Sequence, residues 1–140
     1  MQKRSTALTF ALLAGFVSSA PSSRAADADP KVLEAQVTKL LEAYNKDDVK
    51  AFFAGWSKMA EAIATPQVYE AVFKNGAKKM VGDYVAKSIK FRKEGSVLSG
   101  DILVVYFEAA FSKEKDCLVT VNMVKEGGAY KFIQVMIGKK

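Results

Sequence analysis

The segment ILVVYFEAAF, residues 102–111, decides the fold class of this chain. It carries a single charged residue, Glu108, and is rich in the β-branched and aromatic side chains that favour strands. Residues 117–124 and 130–137 share this character, and short polar or glycine-containing turns separate the three segments. Because the connections are short, we expect successive strands to pair antiparallel as a meander.

The hydrophobic spacing changes on the N-terminal side of this region. Residues 84–97 are predicted to form a further strand. Before Gly82 the apolar residues recur every three or four positions, which is typical of amphipathic helices. Three helices are expected, the first beginning at Pro30, the second spanning residues 49–63, and the third beginning at Pro66. This order predicts an α+β domain with the helices packed on one face of a four-stranded antiparallel sheet.

Alternate residues divide the last three strands into two faces of different chemistry. One face includes Leu103, Phe107 and Val119 and is apolar throughout, apart from Cys117. We expect this face to pack on the helices and Cys117 to be a buried, inert thiol. The opposite, outer face mixes apolar and polar side chains.

The outer face is predicted to form an interface. In the expected register Tyr106 pairs with Asn122, and Phe132 lies beside Asn122. Exposed apolar patches beyond a few hundred Å² usually mark an interaction surface, and aromatic side chains with few polar groups suit an interface core. We therefore expect a two-fold homodimer through this face. The alternative is a monomer in which residues 84–98 and the C-terminal lysines cover part of the face. The residues expected at the interface are Val104, Tyr106, Glu108, Leu118, Asn122, Phe132 and Gln134.

Residues 1–25 have the three-part pattern of a secretory signal peptide. Lys3 and Arg4 precede an apolar run over residues 6–17, and small and polar residues lead to Ala25, after which cleavage is expected. The apolar run is shorter than the ~20 residues that a transmembrane helix needs, so no membrane anchor is expected. The mature protein is predicted to be a single domain, residues 26–140, that is periplasmic or secreted.

Composition removes several classes of function. The 140 residues include no histidine and one cysteine, which excludes histidine-based catalytic pairs, imidazole metal sites, thiolate zinc sites and internal disulfides. No metal or cofactor is predicted. Removal of residues 1–25 takes away three of the 21 basic residues and none of the 15 acidic ones, which leaves a net charge of +3. Because the lysines are scattered, nucleic acid is not expected as a partner.

The order of elements carries a family resemblance. The sequence LLEAYNKDD at residues 40–48 looks like the end of the first helix of the nuclear transport factor 2-like (cystatin-like roll) superfamily. Residues 100–111 and 128–137 look like its paired long strands. Over residues 29–138 the chain is similar to the small exported bacterial domains of unknown function in that superfamily. The resemblance implies a curled, cone-shaped roll with three N-terminal helices, and dimers that pack sheet to sheet.

Two classes of function follow from this resemblance. The first is a non-catalytic module that binds a small apolar or lipid-like ligand inside the cone, or a protein partner on its sheet. Aromatic side chains on the apolar stripes are the candidate pocket residues, although such residues also fit plain core. They are Tyr44, Trp56, Tyr69 and Phe107.

The alternative is an isomerase or dehydratase of the same superfamily. Members that use histidine cannot be matched by this chain, and members that use an acidic base need a carboxylate facing the cone. No strand residue predicted to face the cone is acidic. Asp83, at the helix-to-strand junction, is a weak candidate, with Tyr84 as the donor, and a solvated loop is the plainer interpretation of Asp83. We therefore expect no catalytic residue.

Overall fold

Helix α1, Pro30–Lys46, is the first element of the computed structural model, which describes residues 28–140. The Asp29 carboxylate accepts a hydrogen bond from the Lys31 N–H at 2.9 Å, and Pro30 occupies the first helical turn. Asp47 ends the helix in the left-handed conformation, with φ 53°. The predicted start at Pro30 is therefore confirmed. The predicted signal peptide, residues 1–25, lies outside the described residues and stays a prediction.

Helix α2, Val49–Phe53, is much shorter than predicted. The expected continuation to residue 63 is wrong, because the chain turns away after Phe53 and forms only a 3-10 turn at Lys58–Ala60. The Phe132 N–H donates to the Gly55 carbonyl at 3.0 Å, and the Ser57 N–H donates to the Phe132 carbonyl at 2.8 Å. These backbone groups pair with the sheet and are lost to the helix.

Helix α3 covers residues 66–81. It consists of an α-helical start, Pro66–Tyr69, a π-helical stretch, Glu70–Ala77, and an α-helical end, Lys78–Val81. The Thr65 hydroxyl caps the start by accepting from the Val68 N–H at 3.2 Å. Gly82 ends the helix with φ +85°, and a Cβ at this position would overlap the Ser112 hydroxyl, so the turn requires glycine.

The sheet is an antiparallel meander of four strands in the order β1-β2-β3-β4, as predicted. The strands are β1, Lys90–Ser99, β2, Ile102–Ala109, β3, Cys117–Glu126, and β4, Ala129–Lys139. The first strand begins later than predicted, and Tyr84 makes only an isolated bridge to Phe111. The sheet is not strongly curled, unlike the cone-shaped roll that the resemblance implies. The fold that is shown is α+β, with two main helices followed by the meander.

The register between β2 and β3 differs from the predicted one by two residues. Tyr106 pairs with Thr120, and Val104 pairs with Asn122. A shift of two residues leaves every side chain on its predicted face, since the side-chain period of a strand is two. The division into a core face and an outer face is therefore kept in β2 and β3.

A bulge in β4 places Phe132 on the core face of the sheet and not on the predicted outer face. Asn122 pairs with Gln134 while Met123 pairs with Phe132, so Ile133 is an extra residue on the β4 side. One extra residue reverses the alternation of the strand that carries it. Phe132 consequently points into the core and is 2% exposed, and its predicted position on the outer face is wrong.

The core lies between the helices and the apolar face of the sheet, as predicted. Phe52 is its aromatic centre, with ring centroids 4.7 Å from Phe73 and 5.0 Å from Tyr69. Cys117 is buried, and its thiol contacts the Glu114 carbonyl at 3.3 Å. Burial raises the pKa of this thiol, which keeps it protonated and unreactive. None of the helices within residues 28–140 combines the length and apolar character needed to cross a membrane.

Candidate functional site

An apolar groove of about 320 Å³ lies between the start of α1 and the sheet, and we call it the β1 groove. Leu33 of α1 and Leu103 and Val105 of β2 contribute to its lining, and Lys93 is its one charged residue. The lining consists of Ala28, Pro30, Leu33, Phe91, Lys93, Ser96, Val97, Leu103 and Val105. It is therefore an opening onto the core face of the sheet.

A large irregularity in β1 forms one wall of this groove. Arg92 pairs with Tyr106 and Val97 pairs with Val104, so residues 93–96 have no regular partners. The Ser96 hydroxyl replaces a backbone group of the ladder, since it accepts from the Tyr106 N–H at 3.1 Å and donates to the Arg92 carbonyl at 2.7 Å. Gly95 is the sequence signal that could have predicted this bulge, because glycine inside a strand often marks one.

The ring of Tyr106 lies directly against Gly95. A Cβ built at Gly95 would come within 3.0 Å of that ring, and the backbone there has φ +87°. Both facts require glycine, which has no Cβ and adopts positive φ freely. The bulge is therefore held in place by a hydroxyl on one side and an aromatic ring on the other.

The four predicted pocket residues lie elsewhere in the core. Tyr44, Tyr69 and Phe107 are fully buried, and Trp56 is half-buried with its ring 5.0 Å from that of Phe53. None of them lines the β1 groove. Their role in ligand binding stays a prediction, while their observed contacts are those of core residues.

A second groove, of about 500 Å³, lies at the end of the sheet where the β1-β2 and β3-β4 turns meet. Met59 of the 3-10 turn lies on one side of it, and the Lys125 ammonium lies 5.8 Å from the centre of the Tyr130 ring. Its lining is Met59, Leu98, Ser99, Asp101, Ile102, Val124, Lys125 and Tyr130. Its lining includes two charged residues, Asp101 and Lys125, so this groove is less apolar than the β1 groove.

A cluster of polar side chains gathers at the C-terminal end of α1. The Lys78 ammonium donates to the Tyr44 carbonyl at 2.7 Å and to the Asp47 carboxylate at 3.0 Å. The Tyr69 hydroxyl donates to the same carboxylate at 2.9 Å. The last carbonyls of a helix have no partner within the helix, and a cation beside them is also favoured by the helix dipole. The cluster is therefore a C-terminal cap built from α3.

Electrostatics in this cluster agree with a capping role. Burial opposes the charge on Asp47, but the hydrogen bonds from Lys78 and Tyr69 outweigh it and hold the pKa of this carboxyl below its ordinary value. Burial is the main cause that raises the pKa of the Tyr44 and Tyr69 hydroxyls far above the ordinary range. Both hydroxyls stay protonated and serve as donors, Tyr44 to the Gly82 carbonyl at 2.7 Å.

The weak catalytic candidates lie beside this cluster. The Asp83 carboxylate is exposed and lies 3.5 Å from the Lys78 ammonium. Tyr84 is buried, its backbone is held by two 2.8 Å hydrogen bonds with the Asn45 amide, and its hydroxyl has no partner within residues 28–140. The ring of Tyr84 packs edge-on against Phe111 at 6.0 Å. Neither residue lines the β1 groove.

The predicted interface residues other than Phe132 do lie on the outer face. Polar members of the face are already paired: Glu108 contacts Lys140 at 3.0 Å, and the Asn122 amide donates to Gln134 at 2.9 Å. The hydrogen bond from Lys140 holds the pKa of Glu108 below its ordinary value. With Phe132 in the core, Tyr106 is the one aromatic residue left from the predicted set.

No protein-family model, curated protein or solved structure matches this chain. Within residues 28–140, no group of three or more histidine, cysteine, aspartate or glutamate residues is arranged to hold a metal ion. The classification that the observations support is an α+β domain with a four-stranded antiparallel sheet, without assignment to a family.

Proposed function

We propose that the mature chain is an exported, non-catalytic module that binds a small apolar or lipid-like ligand in the β1 groove. The observation that carries the proposal is the groove itself, which combines an almost entirely apolar lining with a volume of about 320 Å³. Ligand sites in proteins are usually concave, mostly apolar and about 300–1,000 Å³ in volume. The groove is at the lower end of this range, which suits one acyl chain better than a bulky ring system.

The charge distribution narrows the chemistry of the ligand. Lys93 is exposed and is the one charged residue of the lining, and the remaining polar side chain, Ser96, is used by the bulge. An acyl chain buried against Leu33 and Leu103 would place a carboxylate within reach of an ammonium group at the rim. A saturated fatty acid of ten carbons is therefore the probe of choice.

The polar cluster supports binding over catalysis. Lys78, Asp47 and the two buried tyrosine hydroxyls, those of Tyr44 and Tyr69, are committed to capping α1 and fixing Gly82. Moving one of these donors away to transfer a proton would take a partner from a buried carbonyl, which costs free energy. The β1 groove contains no acidic residue, which the acid-base chemistry of the isomerase alternative would need.

Titration of the mature protein with carbon-13-labelled decanoate, followed by NMR, tests this function. Lys93 is the charged residue at the rim, and Lys93→Glu is expected to weaken binding about threefold to tenfold, because it places a carboxylate beside that of the ligand. Lys50, which is exposed on α2 and outside the groove, provides the matched control, and Lys50→Glu should bind as the wild type does. Absence of decanoate binding, or binding that Lys93→Glu leaves unchanged, would refute the proposal.

We also propose the outer-face homodimer and membership of the nuclear transport factor 2-like superfamily. The order of helices and meander supports this membership, and an experimental structure that superposes on members of that superfamily would establish it. Exposed Ile102 and Met136 support the dimer. Leu118→Glu, which puts a charge on the outer face, should convert such a dimer to a monomer in sedimentation experiments. Wild-type protein that is monomeric at micromolar concentration would refute it.

A further inference from the structure

Strand β4 forms one edge of the sheet, and its backbone alternates in the groups it presents to that edge. The Lys140 N–H donates towards β3, to the Asp116 carbonyl, at 3.0 Å. Because the direction of the backbone hydrogen bonds alternates along a strand, the N–H and C=O groups of Met136 and Gly138 also point towards β3. Val135, Ile137 and Lys139 therefore direct their N–H and C=O groups away from the sheet.

Only the first part of this edge is covered. Gly55 and Ser57 pair with Phe132, and the Gln36 side chain donates to the Tyr130 carbonyl at 3.0 Å. Beyond the bulge, no residue of the described chain, 28–140, hydrogen-bonds the outward backbone groups of residues 135, 137 and 139. These residues form an open edge, which we call the β4 edge.

The opposite edge of the sheet is built differently. Strand β1 carries the bulge at residues 93–96 and the charged residues Lys90, Arg92, Lys93 and Glu94, whereas the β4 edge, residues 135–139, follows the bulge at Ile133 and has one charge, Lys139, at its end. Bulges and charges are the devices that keep an edge strand from pairing with another chain. The β4 edge has fewer of them than the β1 edge, which points to pairing at β4.

We propose that the β4 edge pairs antiparallel with the β4 edge of a second copy of this chain. With the two-fold axis at Ile137, Val135 of each copy lies opposite Lys139 of the other, and the outward groups make about six backbone hydrogen bonds. Two four-stranded sheets then join into one continuous sheet. This contact uses the edge of the sheet and is separate from the outer-face dimer.

The side chains favour a second copy as the occupant. In this register Met136 of one copy lies opposite Gly138 of the other. Met136 is 49% exposed, and a Cβ at Gly138 would meet nothing within 4 Å, so the glycine leaves open space for the methionine side chain. No like charges are brought together, because Lys139 faces Val135. The strand is thus complementary to itself.

Amide hydrogen exchange in the mature protein, measured by NMR at two concentrations, tests the proposal directly. The amides of Val135, Ile137 and Lys139 should exchange at least tenfold more slowly in the concentrated sample than in the dilute one. Met136 and Gly138 face β3 and should be protected in both. A dimer in which the three outward amides exchange as fast as in the dilute sample would overturn the proposal and would favour the outer face.

Proline at position 139 provides the second test. Lys139→Pro removes an outward N–H without touching the β3 ladder or the core, and Lys139→Ala is the matched control that keeps this donor. Loss of one hydrogen bond from each copy is expected to weaken dimerisation roughly tenfold to hundredfold in the proline variant alone. A proline variant that dimerises as the alanine variant does, or a wild type that stays monomeric, would refute the pairing.

Discussion

Replacing Phe132 by alanine tests the bulge that distinguishes the structure from the sequence-based register. Phe132 is 2% exposed and lies opposite Met123 in the strand register, on the core face. The centre of its ring is 6.2 Å from the centre of the Trp56 ring. Phe-to-Ala changes in cores cost about 3–5 kcal/mol, because they remove buried area and leave a cavity. The backbone bonds of Phe132 to Gly55 and Ser57 remain in the variant, so we expect a loss of about 3 kcal/mol in the free energy of unfolding.

Urea unfolding of the chain of residues 26–140, followed by circular dichroism at low micromolar concentration, measures this loss. Domains of this kind are stable by about 5–15 kcal/mol in total, so the shift in midpoint should be large. Val72, which is 50% exposed on α3 and lies outside both proposed dimer contacts, provides the control. Val72→Ala should cost less than about 1 kcal/mol. A Phe132→Ala variant as stable as the control would show that Phe132 lies on the outer face and that the bulge is absent.

Three further predictions concern the ends of α1 and α3. Lys78→Met should cost about 1–3 kcal/mol in urea unfolding, because it leaves the buried Tyr44 carbonyl with one partner fewer, and an unchanged midpoint would contradict the capping role. The folded-state pKa of Asp47 is lowered, so its contribution to stability is complete above its ordinary pKa of 3.8 and is lost as the pH falls through the folded value. The acid side of the stability-pH curve should therefore be flatter in Asp47→Asn, and an identical acid slope would refute this. Gly82→Ala should lower the melting temperature more than Gly127→Ala, since both have positive φ but only the first overlaps Ser112, and equal effects would count against the close contact.

The candidate groove could be predicted only in part. The apolar alternation of β2 places Leu103 and Val105 on the core face, and Leu33 is on the apolar stripe of α1, so three lining residues were assigned to the right surface. The groove beside these buried residues was not predicted, because it depends on the bulge at residues 93–96. Gly95 was the available signal, but how far a bulge displaces its strand depends on the Ser96 and Tyr106 contacts that hold it.

The sequence by itself determined the elements whose causes are local. Apolar periodicity marks the strands and α1, short turns dictate antiparallel pairing, and Asp29 and Thr65 each cap the helix that follows with their own side chains. A shift of two residues in the β2-β3 register left the two faces intact, because side chains alternate with a period of two.

Only the tertiary structure decided the features that depend on competition between distant backbone groups. The apolar spacing of residues 49–63 predicts a long helix, yet α2 ends at Phe53 because Gly55 and Ser57 pair with Phe132 instead. The bulge that inserts Ile133 turns the same Phe132 into the core, and no local pattern in β4 marks it. Each outcome depends on which partner satisfies a backbone N–H or C=O, and that partner is defined only when the chain has folded.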